Sequence, residues 1–131
     1  MKENKKSNES QAKQDREIKI GMWICIVIAG INVIYGLYSI IFGSEDRIWV
    51  LIFHIVISVG WVCGKNWARV LYLILTGWGV FLFLTFHRGW AWMSTGEFAR
   101  VFVTLIVYVS FCLLLFSNGC VNAFFASKRK K

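Results

Sequence analysis

Four polar side chains sit inside long apolar runs of this chain, and each of them can donate, accept or titrate: Asn32, His54, Thr76 and Tyr108. Counting ~1.5 Å of helical rise per residue from the basic end of each run puts them about 18, 15, 14 and 12 Å along, so all four share one level. A polar group at that depth in hydrocarbon is costly unless it finds a partner on a neighbouring helix, so the chemistry expected is an interhelical hydrogen-bond layer, with Asn32 and His54 as its central pair. His54 is titratable, which makes it a candidate for proton or ligand handling, but no Asp or Glu lies inside the runs to share its charge. It is therefore expected to be neutral and structural. Ser58, one helical turn from His54, has the spacing of a nucleophile and base, yet nothing acidic is present to orient the imidazole. The chain has no Gly-rich phosphate loop, no HExxH and no GxSxG. Cys25, Cys63, Cys112 and Cys120 show neither CxxC spacing nor a nearby His, so neither a disulfide framework nor a metal site is expected. The reading is of a protein that is not an enzyme and holds no cofactor.

A second constellation is basic. Lys65, Trp67 and Arg69 in one turn, with Lys128, Arg129, Lys130 and Lys131 at the end of the chain, form a candidate contact for anionic phospholipid headgroups or an acidic partner. The formal charge of +8 is carried mostly at the chain ends beside apolar runs, which argues for the membrane surface and against nucleic acid. Cys120 beside the last run has the placement of a lipidated cysteine, and the terminal Lys-Arg-Lys-Lys approximates a dilysine retrieval signal.

These groups need elements to hold them. With 57% apolar and 17% aromatic residues, no proline and a mean hydropathy of +0.58 in 131 residues, the chain is too apolar for an ordinary soluble domain. Residues 20–43 carry no charge, and 24 residues at ~1.5 Å each exceed the ~30 Å hydrocarbon core. Within them Cys25, Ala29, Asn32, Gly36, Ser39 and Gly43 recur every three or four residues, a stripe of small and polar side chains that lets neighbouring backbones approach. That stripe is the expected helix-packing seam. Further helices are expected over 48–64, with Ser44 as its cap, over 67–86, and over 97–116, opened by a Ser94/Glu97 capping box. The loop with Trp90 and Trp92 suits the membrane interface. Residues 1–19 are expected to be a disordered basic tail and 126–131 a short basic one.

Placing both termini in the cytoplasm puts twelve of the fifteen Lys and Arg on that side, against Arg47, Arg88 and Arg100 opposite, which fits the positive-inside rule for four spans. Trp23, Trp61 and Trp67 then fall near the inner boundary, and Trp49, Trp90 and Trp92 near the outer one. The fold class expected is all-α: an antiparallel four-helix transmembrane bundle, N-in and C-in.

The segment Gly64-Lys65-Asn66-Trp67-Ala68-Arg69 resembles a turn of small, uncharacterised four-span bacterial membrane proteins, and Leu113–Ser117 followed by Phe124-Phe125 is similar to how such proteins end. The resemblance implies a bacterial inner-membrane location and the same four-span fold, and no activity. Two functions are consistent with all of this. One is an accessory, regulatory or immunity-type protein acting through a membrane-protein or lipid partner; the other is a homo-oligomeric pore lined by the stripe of residues 25–43.

Overall fold

The computed structural model describes residues 1–41, 48–85 and 94–130. Gly43, the Ser44 cap, Arg47, Arg88, the Trp90 and Trp92 loop and Lys131 lie outside the described residues. The described residues form helices and no strands: α1 (Lys2–Ile41), α2 (Ile48–Val62), α3 (Asn66–Thr85), α4 (Thr95–Ser117) and α5 (Gly119–Arg129).

Three of these, α1, α3 and α4, are long and apolar enough to cross a membrane. At 15 residues, α2 falls short of the ~20 that a span ordinarily needs. It stops at Val62, two residues before the expected end. Gly64 takes φ +68°, its N–H reaches the Trp61 carbonyl at 2.9 Å, and the Lys65 N–H reaches that of Gly60 at 2.8 Å. This is a Schellman closure, which only a residue tolerant of positive φ completes without strain. α2 and α3 therefore form the tight antiparallel hairpin that the turn residues imply. At the start of α4, the Ser94 N–H donates to Glu97 Oε2 at 3.0 Å and the Glu97 N–H to Ser94 Oγ at 3.3 Å, so the capping box opens the helix at Thr95.

Two segments differ from expectation. Residues 2–19 are helical and continue α1 without a break, where a disordered tail was expected. Their polarity argues for disorder, but Lys5 and Glu9, Glu9 and Lys13, and Asp15 and Lys19 each lie four residues apart on one face, and no Gly or Pro interrupts them. The second is α5, which follows the last expected helix and extends into the expected basic tail of 126–131. Asn118 ends α4 and caps α5 at once, its side chain accepting from the N–H groups of Cys120 at 2.9 Å and Val121 at 3.3 Å. Val121, Phe124 and Phe125 are buried by this turn.

α1 is the common partner, packed on both α2 and α5. Its contact with α5 is backbone to backbone, for a Cβ on Gly21 would fall 2.0 Å from the Cys120 carbonyl oxygen. Near Asp15, Lys19 and Met22 it lies beside Phe124 and Lys128, so α5 runs back antiparallel along the first half of α1.

Candidate functional site

Asn32 is held at the α1–α2 interface by small neighbours. Its amide donates to Ser58 Oγ at 3.0 Å and to the His54 carbonyl at 3.3 Å, and Ser58 Oγ donates in turn to the Ala29 carbonyl at 3.4 Å. The expected pairing of Asn32 with the His54 ring is thus corrected: Asn32 meets the backbone of His54, and the ring points elsewhere. His54 Nδ1 lies 2.6 Å from the Val50 carbonyl, which can only accept, so Nδ1 bears the hydrogen. In the neutral ring Nε2 is then the acceptor, and the Tyr108 hydroxyl donates to it at 2.8 Å. Ser58 Oγ is engaged by Asn32 and Ala29, not by the His54 ring.

Asn32, His54, Thr76 and Tyr108 all line one cavity of about 230 Å³ whose other walls include Phe53, Leu75 and Leu105. Thr76 receives the Cys112 thiol at 3.5 Å. Four aromatic rings, one from each of the first four helices, run past it edge to face: Trp61 to Tyr72 with centroids 4.8 Å apart, Tyr72 to Tyr108 at 5.6 Å and Tyr108 to Tyr35 at 6.0 Å. Tyr35 closes the circuit by a hydrogen bond with Thr104 of α4. Trp61 has no exposed surface and is part of the core, whereas Trp23, Trp49 and Trp67 are exposed.

Tyr72 was not singled out by sequence reasoning, and Trp61 was read only as a boundary residue, although a signal for both was present. Tyr72 lies four residues from Thr76 and Trp61 seven from His54, spacings that keep each on the helix face already marked as polar. The Asn32 Oδ1 and Tyr72 hydroxyl are both buried and have no hydrogen-bond partner among the described residues.

Of the seam residues, Cys25, Ala29, Asn32 and Gly36 are buried within the chain, and Ser39 is half-buried. The basic constellation divides. Lys65, Trp67, Lys128, Arg129 and Lys130 are exposed, and a Cβ on Gly64 would lie 2.5 Å from Lys128 Cγ, so the α2–α3 turn and the end of α5 meet. Arg69 is only 6% exposed and is withdrawn from any lipid contact, a correction to its expected role. Its guanidinium lies between the rings of Phe116 and Phe125, 4.6 and 4.4 Å from their centroids. It donates to the Leu115 carbonyl and, at 2.6 Å, to Asn122 Oδ1. The Leu115 carbonyl belongs to the last turn of α4, where backbone acceptors lack helical donors and the dipole favours a cation. Asn122 serves the next one, donating to the Phe116 carbonyl at 2.9 Å.

Among the described residues no three His, Cys, Asp or Glu side chains gather where they could hold a metal ion.

Three helices long and apolar enough to cross a membrane point to a membrane protein that is helical through its described residues. Comparison of the chain with protein-family models, curated proteins and solved structures yields no match.

Proposed function

We propose that this protein is a four-span accessory or regulatory component of a bacterial inner membrane, without catalytic activity, that acts through a membrane-protein or lipid partner. The observation that carries this reading is the inward turn of the seam. Cys25, Ala29, Asn32 and Gly36 are consumed by contacts inside one chain, while the outward side of α1 presents Trp23, Val27, Ile34 and Ile41. A pore between protomers needs polar side chains on that outward side, so burial of the stripe favours the accessory role over the channel.

Its partner would be met through apolar helix faces, such as the one bearing Ile74 and Trp78 on α3, and through the basic end. Cytoplasmic N- and C-termini are supported by the charge bias and by the meeting of basic segments: Lys19 of α1 lies by Lys128 of α5, which crosses the turn before Lys65. In this topology α2 crosses as a short span, flanked by Trp49 at one end and by the Lys65 turn at the other.

Extraction in a mild detergent followed by native mass measurement tests the proposal. The expected result is this chain in a fixed ratio with a second membrane protein or with bound phospholipid. Recovery solely as a closed ring of identical copies would favour the pore.

A further inference from the structure

Where α5 folds back along α1, the two helices leave a groove of about 360 Å³ between them. Its rim is charged and its floor is not. Lys19 and Asp15 of α1 and Lys128 of α5 line it and are exposed, Ile18 and Met22 are half-buried, and Phe124 lies buried beneath. The stem of Lys128 also crosses the α2–α3 turn, where a Cβ on Gly64 would meet its Cγ at 2.5 Å, so the turn that bears exposed Lys65 adjoins the groove. Folding thus brings lysines from three segments far apart in the chain to one end of the molecule, against a single groove-lining carboxylate, Asp15. That excess of positive charge calls for an anion.

The polar atoms narrow the anion. Each lysine ammonium is a donor only and suits a phosphate oxygen. Ser127, which also lines the groove, already donates its hydroxyl hydrogen to the Phe124 carbonyl at 2.7 Å, so its oxygen is left to accept, as is the Asp15 carboxylate. Two cationic donors beside two acceptors fit a phosphodiester whose headgroup carries hydroxyls. A phosphomonoester, with close to two negative charges, is opposed by Asp15. The level of the groove favours a lipid: Lys19 is the last charge before the uncharged run 20–43, and exposed Trp23 stands one helical turn further along α1 on the same face. The volume is that of a small-ligand site, enough for a headgroup while the acyl chains stay in the bilayer. We propose that the α1–α5 groove binds an anionic phospholipid with a polyol headgroup, of the phosphatidylglycerol kind, its phosphate held by Lys19 and Lys128 and its hydroxyls by Asp15 and Ser127. This rests on the lipid-partner reading above and gives that partner its class and its site.

The test places the full chain in nanodiscs of phosphatidylglycerol, phosphatidylcholine and phosphatidic acid in equal parts and counts the lipids it retains by native mass measurement. The wild type is expected to keep phosphatidylglycerol over both others. Lys19→Gln combined with Lys128→Gln is expected to lower that retention roughly 10- to 30-fold, the combined worth of two lysines at an anionic surface. Lys2→Gln combined with Lys6→Gln makes the same charge change on exposed positions of α1 away from the groove, and is expected to leave retention unchanged. Asp15→Asn is expected to raise retention of phosphatidic acid. Equal retention of phosphatidylglycerol and phosphatidylcholine by the wild type, or equal losses in the two double variants, would overturn the proposal and leave these lysines as topology anchors. Displacement of the lipid by soluble glycerol 3-phosphate would overturn it as well, since the groove would then take a free phosphate ester. Recovery as a closed ring whose copies each retain phosphatidylglycerol would sink the accessory reading and support this site.

Discussion

Arg69→Ala is expected to lower the stability of the protein by about 2–4 kcal/mol, measured by unfolding in a denaturing-detergent titration followed by circular dichroism. Hydrogen bonds from a charged donor contribute about 1.5–3 kcal/mol each, and Arg69 makes two, to the Leu115 carbonyl and to Asn122 Oδ1. Its stacking between Phe116 and Phe125 adds to this, and relief from burying a cation offsets part of the loss. The damage should be local first, freeing α5 from the end of α4 and exposing the junction at Asn118 to protease. Arg69→Lys is the sharper variant, since it retains the charge and its burial cost. One ammonium cannot match two separate acceptors and two ring faces as the planar fork does, so lysine should restore less than half of the loss. Wild-type stability in Arg69→Lys would show that charge alone suffices, and that the fork geometry is incidental.

Gly21→Ala should be nearly as harmful, although it adds a single methyl group. That methyl would sit 2.0 Å from the Cys120 carbonyl oxygen and 3.0 Å from Phe124 Cβ, so the backbones of α1 and α5 must separate. Overpacking of this kind costs about 1–3 kcal/mol. Gly36→Ala is the comparison: its added carbon would meet only side-chain atoms, Leu51 Cδ1 at 3.1 Å and His54 Cβ at 3.4 Å, which can shift by tenths of an ångström. The expected order is a loss of accumulation and thermal stability in Gly21→Ala and a small change in Gly36→Ala. Equal tolerance would mean that α5 is not anchored on α1.

What could be read from the sequence was whatever its neighbours along the chain decide. The uncharged run of α1, the Ser94/Glu97 box and the turn at Gly64 are local patterns, and each forms where its residue types require. Asn32, His54, Thr76 and Tyr108 reach one cavity because helical rise fixes their depth. Their partners are set by a different quantity, the rotation of each helix about its axis. Rotation turns the His54 ring toward Tyr108 and leaves Asn32 the backbone carbonyl of His54 and the hydroxyl of Ser58. Arg69 was read as a surface cation because it adjoins Lys65 and Trp67, yet three positions along a helix from Asn66 turn it away from solvent and under two phenyl rings that lie some fifty residues later in the chain. The helical state of residues 2–19 and the existence of α5 were hidden for a related reason. Polar composition weighs against order, while the docking of Val121, Phe124 and Phe125 depends on α1 being there to receive them.

The proposal that the protein is an accessory component and no channel depends on the polar seam being closed inside one chain. Ion flux through liposomes containing the purified protein tests it most directly. The expected result is a membrane that holds a potassium gradient as well as protein-free liposomes do, at every protein density. Leak that rises with density and is abolished by Asn32→Leu would contradict it, because Asn32 would then line a conducting path.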